Sequence, residues 1–253
     1  MKKWTAILLT VISAFSLAAC SGGESQENSG QEPADNAQVS EEEVPSETDE
    51  SASAEEEAVS DGTAEESADS NMLVAYFSYA ENADLPEGVD VSSGASIQIW
   101  NDETTGNTGV VAAMIADTAG ADMFSIRTVE KYPDTYDATV DQGQEEQNAD
   151  ARPELASHIE NLDSYDVIFL GYPNWWGDMP MAVYSFLDEV DLSGKTIVPF
   201  VTSGGSGFSN TIRTIENMEP EATVQEGIAV SASGAANAQD QVTEWLSSLG
   251  YIA

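Results

Sequence analysis

The sequence predicts a doubly wound α/β fold for residues 71–253, with five parallel strands and helices on both faces of the sheet. Short apolar runs at 72–77 and 167–170 are typical of strands that are buried on both faces. Segments with helical spacing of apolar residues separate these runs from the other predicted strands. Strands that alternate with helices favour a parallel sheet, because each parallel connection needs a crossover.

The first half of this domain begins with the strand at 72–77, a nearly continuous apolar run. A helix is predicted at 108–119, where valine, methionine and isoleucine side chains share one helical face. The segment 123–129 alternates apolar and polar residues, which suits a half-buried edge strand. A short helix is predicted at 153–162. The long connection at 130–152 before it is interpreted as a loop that either covers a ligand or is a surface excursion.

The second half opens with the strand at 167–170, and helix-start signals follow it at Asp178 and Pro180. Pro199 lies in the middle of the strand predicted at 196–201, although proline has no N–H for the sheet and favours an edge or a bulge. The other elements predicted from periodicity are helices at 180–189, 209–218 and 238–249 and a strand at 224–230.

Residues 1–20 predict export. Lys2 and Lys3 precede an apolar run at 4–19 that is short for a membrane span and typical of a signal peptide. The run ends in LAAC, which resembles the bacterial lipoprotein box, whose cysteine is lipidated and becomes the first residue after cleavage. The alternative is a plain signal peptide with a chance cysteine. We therefore expect an extracytoplasmic protein that is lipid-anchored to the cell membrane through Cys20.

Residues 21–70 predict a disordered acidic linker, because they hold seventeen Asp and Glu residues and no Lys, Arg or aromatic residue. A partner-binding acidic tail is the alternative. Residues 71–253 carry 29 acidic and five basic residues, and this charge disfavours nucleic acid and anionic membrane surfaces as partners. With Cys20 as the only cysteine and His158 as the only histidine, we expect no disulfide and no metal site.

Three loops at the expected carboxyl ends of strands suit a ligand, because ligands of such sheets bind outside these ends. The first begins at Ser78 and ends where the helix at 108–119 begins. Its hydroxyls and the free amides of the helix can hold an anion, and no Lys or Arg occurs between residues 72 and 126. The second, NWWG at 174–177, presents two adjacent indoles to a flat ligand; alternatively, one indole fills the core and the other covers a neighbouring helix. The third, TSGGSG at 202–207, has glycines that let backbone amides approach a ligand closely.

The order of these motifs resembles the flavodoxin-like family of FMN proteins. The matching motifs are YFS at 76–78, GNT at 106–108, GYPNWWGDMP at 171–180 and TSGGSG at 202–207. The resemblance implies strand order 2-1-3-4-5 and FMN as cofactor. It places the phosphate in the first loop and the isoalloxazine ring between the second and third loops, stacked on one of the two indoles. The residues that it implies for FMN binding are Ser78, Tyr79, Gly106, Asn107, Thr108, Pro173, Asn174, Trp175, Trp176, Gly177, Thr202, Ser203, Gly204, Gly205 and Gly207.

An insertion at 79–103 separates Ser78 from the GNT motif, whereas usual flavodoxins join the two directly. Just ahead of that motif, DVSSGAS at 90–96 resembles the D-x-x-[ST]-G-A-[ST] signature at which exported flavoproteins receive FMN through a phosphoester. The hydroxyl that would carry the ester is that of Ser96. The alternatives are a noncovalent phosphate site and a chance pattern of small residues.

Other chemistries fit the sequence poorly. GGSGF at 204–208 ends in Phe208 where a nucleophile elbow needs glycine, and His158 precedes the serine, so an acyl-transfer triad is disfavoured. GKT at 194–196 lacks the earlier glycine of a P-loop. We therefore predict an FMN-binding protein that transfers electrons, with no residue in a catalytic role. The alternatives are an NAD(P)H- or quinone-linked FMN oxidoreductase, with 130–152 as the candidate second pocket, and a flavin-free binding module.

Overall fold

The computed structural model describes residues 71–85, 96–101 and 103–253. The predicted signal peptide, the predicted lipidation site Cys20, the predicted linker at 21–70 and residues 90–95 of the predicted covalent-attachment motif lie outside the described residues.

The described chain contains eight strands and five α-helices. The strands are Met72–Tyr76 (β1), Ile97–Trp100 (β2), Glu103–Gly106 (β3), Asp122–Ser125 (β4), Val167–Pro173 (β5), Thr196–Ser203 (β6), Thr223–Val224 (β7) and Ile228–Ser231 (β8). The helices are Asn107–Ala119 (α1), Tyr136–Asn148 (α2), Met181–Glu189 (α3), Thr211–Met218 (α4) and Gln239–Leu249 (α5). Among the described residues, no helix combines the length and the apolar content that a membrane crossing needs.

The main sheet is parallel and has the predicted order. Its strands run β4-β1-β5-β6, and the short strands β7 and β8 both pair with β6 on its outer side. Only the main-sheet strands are counted in this comparison, numbered again along the chain, with β7 and β8 as one position. The order is then 2-1-3-4-5, which confirms the fold predicted from the sequence.

The apolar run of β5 has the two-sided burial expected of a central strand. Ile168 and Leu170 pack on one face of the sheet with Phe186 of α3, whereas Phe169 packs on the other face with Ile115 of α1. All five side chains are at most 2% exposed. Successive residues of a strand point to opposite faces, so a strand with helices on both sides is apolar throughout.

The prediction of a helix at 153–162 is wrong. Leu155 forms a bridge with Thr128, and the backbone N–H of Val129 donates to the Glu154 carbonyl at 2.9 Å. The Ala156 N–H donates to the Arg127 carbonyl at 2.7 Å. The segment is therefore extended and paired with the chain that follows β4, because these backbone partners satisfy its polar groups better than an isolated short helix would.

The second helix is instead α2, within the connection that was interpreted as a loop. Its buried residues are small, Thr139 and Gly143, so it has no apolar stripe for sequence analysis to find. A Cβ on Gly143 would lie 3.2 Å from the Trp175 ring, so the indole packs directly on the helix backbone. Tertiary packing rather than sequence periodicity thus fixes α2.

The insertion at 79–103 also contains structure that was not predicted. Strands β2 and β3 form an antiparallel hairpin in which Ile97 pairs with Gly106. This register brings Ser96 to the start of α1, where its carbonyl oxygen accepts a hydrogen bond of 2.9 Å from the Asn107 N–H. The hairpin therefore brings Gly106 next to Ser78, although the insertion separates the two residues in the sequence.

Pro199 fits the sheet because the outer edge is interrupted beside it. The carbonyls of Lys195 and Ile197 accept hydrogen bonds from β7 and the residue after it, so alternate residues of β6 face this edge. Pro199 belongs to the same set, and β8 pairs only from Phe200 onward. The missing N–H of proline thus faces the gap between β7 and β8. The same gap explains why the predicted strand at 224–230 is split in two.

Candidate functional site

The three predicted loops lie at the carboxyl ends of β1, β5 and β6, and two of them are joined directly. The Asn174 N–H donates to the Thr202 carbonyl at 2.8 Å. The Asn174 side-chain amide donates to the Gly207 carbonyl at 2.9 Å and to the Ser209 hydroxyl at 3.0 Å. Asn174 therefore holds the second loop against the third.

At the first loop, a buried hydroxyl lies at the start of α1. Ser78 is 1% exposed, and its Oγ has no hydrogen-bond partner among the described residues. A Cβ on Gly106 would lie 2.2 Å from this Oγ, so only glycine leaves room for it there. A buried polar atom without a partner is costly in a native protein and points to a ligand that supplies the missing bond.

The GNT residues surround the same point. The Asn107 side chain is buried and accepts a hydrogen bond of 2.7 Å from the Gln98 amide of β2. The Thr108 and Thr202 hydroxyls share a hydrogen bond of 2.8 Å, which links the first loop to the third. The structure therefore brings Ser78, Gly106, Asn107 and Thr108 together, and their role in binding phosphate stays a prediction. Ser96, at which covalent attachment is predicted, lies beside them, and the attachment itself stays a prediction.

Two side chains of the first loop, those of Tyr79 and Thr105, form hydrogen bonds with residues other than those around the Ser78 hydroxyl. The Tyr79 hydroxyl donates to the Pro133 carbonyl at 2.6 Å, and the ring is 9% exposed within the apolar core. Tyr79 therefore offers a ligand its backbone rather than its side chain. The Thr105 hydroxyl donates to Glu81 Oε1 at 2.5 Å. Glu81 was not singled out from the sequence, because an acidic residue in a long insertion carries no positional signal.

The second loop is a tight two-residue turn. Trp175 and Asp178 exchange two backbone hydrogen bonds of 2.9 Å. Trp176 and Gly177 between them have φ angles of +55° and +81°, as a type I′ turn requires. The Gly177 N–H also donates to Asn174 Oδ1 at 3.0 Å. The turn holds Trp176 outward, with its side chain 51% exposed.

The two adjacent indoles have different environments. Trp175 lies edge-on to Phe77 and Tyr132, with ring centroids 5.5 and 5.3 Å away, and packs on Gly143. Trp176 donates from Nε1 to the Val140 carbonyl of α2 at 3.0 Å. The alternative weighed for this pair, one indole in the core and the other against a helix, therefore describes their protein contacts. Half of the Trp176 surface remains available, so Trp176 is the better placed of the two to stack on a flat ligand.

The third loop is organised by one hydroxyl. Ser203 Oγ accepts hydrogen bonds from the N–H groups of Gly205, at 3.2 Å, and Gly207, at 2.9 Å. Gly204 and Gly205 are exposed, and Thr202 pairs in register with Pro173 of β5. The predicted residues of the second and third loops thus form one continuous edge.

Two tyrosines, Tyr172 and Tyr184, form hydrogen bonds next to these loops. Burial raises the pKa of Tyr172, whose hydroxyl donates to Thr211 Oγ1 at 2.8 Å. Burial, followed by the hydrogen bond to Asp178, raises the pKa of Tyr184 to about 12. Both hydroxyls therefore stay protonated near neutral pH and act as fixed donors.

Other candidate sites lie away from the loops. His158 is exposed and pairs with Glu189, as expected of a surface residue, although it is not in a helix. No group of three or more potential metal ligands occurs in the described ranges. Cavities of about 340 and 310 Å³ flank Arg152, and none of the predicted flavin-binding residues lines either of them.

The fold and the three loops define an α/β protein of flavodoxin architecture. The chain matches the flavodoxin family model, described as "Flavodoxin", over residues 99–249. The chain therefore belongs to the flavodoxin family, and FMN, the predicted cofactor, is the flavin of that family.

Two crystal structures are similar to this chain. They are inferred flavoproteins from Bacteroides eggerthii DSM 20697 and Bacteroides uniformis ATCC 8492, each 26% identical in sequence. The first covers 71% of this chain and 97% of its own, with a TM-score of 0.54. The second covers 70% and 97%, with a TM-score of 0.53. No curated protein matches the chain.

Proposed function

We propose that the domain binds one FMN at the carboxyl edge of the sheet and transfers electrons through it. The observation that carries the proposal is the buried Ser78 hydroxyl, which lacks a partner and lies beside Gly106 at the start of α1. The start of α1 adds the positive end of a helix dipole, and the Asn107 N–H there is already bonded to the Ser96 carbonyl. These groups fit a phosphate ester without any lysine or arginine.

The ring of FMN would lie between the second and third loops. Trp176 supplies an exposed indole face, and Asn174 fixes the distance between the two loops. The backbone of Gly204 and Gly205 offers unobstructed approach, since a Cβ on either residue would meet no atom within 4 Å. Bound FMN supplies the one- and two-electron redox chemistry, and the chain supplies binding and the surrounding field.

The location proposed for this function is the outer face of the cell membrane. The lipoprotein box supports attachment through Cys20, and the acidic segment 21–70 supports a tether between the membrane and the domain. Replacement of Cys20 by serine is expected to release the protein into the medium. Retention of that variant on the membrane would contradict the anchor.

The visible spectrum of the purified chain tests the function. We expect flavin absorbance, and one equivalent of FMN bound on titration of the flavin-free protein. A colourless chain that does not respond to FMN would leave only the flavin-free binding module. Flavin that is retained after denaturation, and lost in Ser96→Ala, is the result expected of covalent attachment.

A quinone-linked oxidoreductase is the second candidate, and one observation favours it. The segment 130–152, with Tyr132 and Glu146, lines most of the cavity of about 340 Å³. Its single guanidinium, that of Arg152, is already paired with Asp150 and Asp188. The carboxylates of the cavity therefore disfavour the phosphates of NAD(P)H more than a neutral quinone. Steady-state turnover with NADH and with a quinone separates an enzyme from an electron carrier.

A further inference from the structure

A carboxylate lies against the first turn of α1. Glu81 belongs to the short turn Ala80–Asn82 after β1, and its Oε1 accepts the hydrogen bond from Thr105 described above. A Cβ on Gly109 would lie only 2.6 Å from this oxygen. The carboxylate therefore fills space that a side chain at position 109 would otherwise occupy.

The ion pairs of the described residues do not include the Glu81 carboxylate, which is contacted by the hydroxyls of Thr105 and Tyr76. Its Oε2 is buried and has no hydrogen-bond partner among the described residues. The Lys131 ammonium donates to the Glu81 backbone carbonyl at 3.0 Å. Burial and, next, the charge of Glu81 raise the pKa of Tyr76, so the phenol nearby stays neutral. The positive end of α1 adds to the hydrogen bonds from Thr105 and Tyr76 in stabilising the carboxylate.

The unpartnered Ser78 hydroxyl lies near the same end of α1. Ser78 Oγ lies against Gly106, and Glu81 Oε1 lies against Gly109, three positions further along α1. One helix end therefore faces both a free hydroxyl suited to a phosphate and a resident negative charge.

We propose that Glu81 is an internal anion that determines how strongly the site prefers a flavin ending in phosphate over one ending in a hydroxyl. This inference rests on the proposed function. Like charges at a shared, partly buried helix end repel, so Glu81 weakens the binding of FMN and leaves riboflavin binding nearly unaffected.

The same carboxylate stabilises the flavin-free protein, because an anion at a helix N-terminus is favourable. Removal of its charge therefore has two effects of opposite sign. Glu81→Gln is expected to lower the Tm of the flavin-free chain and to raise its affinity for FMN. A purely structural residue would lower both.

The test compares FMN and riboflavin on the full-length, flavin-free chain. Flavin fluorescence quenching gives Kd for both ligands in the unmodified chain, in Glu81→Gln and in Asp84→Asn. Asp84 is an exposed carboxylate three residues away, so it controls for the loss of one negative charge from the same loop. We expect the FMN-to-riboflavin affinity ratio to rise about fivefold or more in Glu81→Gln and to change less than twofold in Asp84→Asn.

Thr105→Val is the second variant, because it removes only the hydroxyl that holds the carboxylate. It is expected to raise the same ratio by a smaller factor. An unchanged ratio in both Glu81→Gln and Thr105→Val would overturn the inference. So would FMN binding that requires Mg²⁺ and is abolished by a chelator, because Glu81 would then act as a cation ligand. If the unmodified chain binds neither flavin, the proposed function itself fails.

Discussion

The phosphate end and the ring end of the candidate site are built in opposite ways. The end proposed for the phosphate gathers residues from separate parts of the chain, the buried Ser78, the partly buried Ser96 and the buried start of α1, and the β2–β3 hairpin holds them in register. The end proposed for the ring consists of two loops, 173–177 and 202–207, and its turn at Trp176 and Gly177 is exposed. Changes at the phosphate end should therefore alter both stability and binding, whereas changes at the ring end should alter mainly binding.

Trp175 is the strongest exception to this difference. It belongs to the ring end, yet it packs against the core, so its replacement should lower stability. Trp175→Ala removes contacts with Phe77, Tyr132 and Gly143 and is expected to lower the free energy of unfolding by about 3 kcal/mol. Urea denaturation of the flavin-free chain measures the change. A loss below about 1 kcal/mol would mean that the core closes around the missing indole.

Glu219 belongs to neither end of the candidate site, and its ionisation is expected to make the free energy of unfolding depend on pH. Glu219 is 8% exposed, and burial, followed by the charge of Asp191, raises its pKa from 4.5 to about 7. A raised carboxyl pKa means that the protonated form is favoured in the folded state. The stabilisation is then complete below pH 4.5 and is lost as the pH rises through 7.

The expected loss of stability from Glu219 across this range is about 1–2 kcal/mol, since solvent screening reduces the effect of the full shift. Urea denaturation at pH values from 4.5 to 8 measures it in the unmodified chain. Glu219→Gln, which cannot ionise, should remove this part of the pH dependence. An identical pH profile in the variant would assign the dependence to another group.

Trp176→Ala is the matched variant of Trp175→Ala at the neighbouring position. Its side chain is half exposed, so the free energy of unfolding should change by less than about 0.5 kcal/mol. The loss of an aromatic face should weaken FMN binding by about 1 kcal/mol, roughly fivefold. FMN titration measures the change, and an unaltered Kd would place the ring elsewhere.

Ser78→Ala is expected to have a small effect on stability, opposite in direction to that of Trp175→Ala. The hydroxyl has no hydrogen-bond partner among the described residues, so its removal should stabilise the chain without FMN by about 0.5 kcal/mol. FMN affinity should fall about threefold through the lost phosphate contact, with riboflavin affinity unchanged. A destabilised variant would show that Ser78 has a structural partner.

The sequence was sufficient where a pattern is local. The two-sided apolar run of β5 follows from its sequence pattern, and the strand order follows from the resemblance of the motifs to the flavodoxin-like family. The prediction failed where long-range packing decides the structure. The helix α2 buries Gly143 under Trp175, and nothing in its own thirteen residues shows that contact.

The helix that was wrongly predicted at 153–162 also reflects contacts with distant parts of the chain. Leu155 and its neighbours have helical spacing, yet the backbone near Thr128 pairs with them and keeps them extended. Likewise, no property of two consecutive tryptophans tells which one enters the core. That choice follows from the positive φ of Trp176, which depends on the hydrogen bonds across the turn.

The break opposite Pro199 bears on how these molecules behave when crowded together. The outer edge of the sheet consists of two short pieces, Thr223–Val224 and Ile228–Ser231, and not of one continuous strand. A strand from another molecule can add to a sheet only along an unbroken row of free N–H and C=O groups. The interrupted edge therefore opposes aggregation by sheet-to-sheet pairing at this side of the domain.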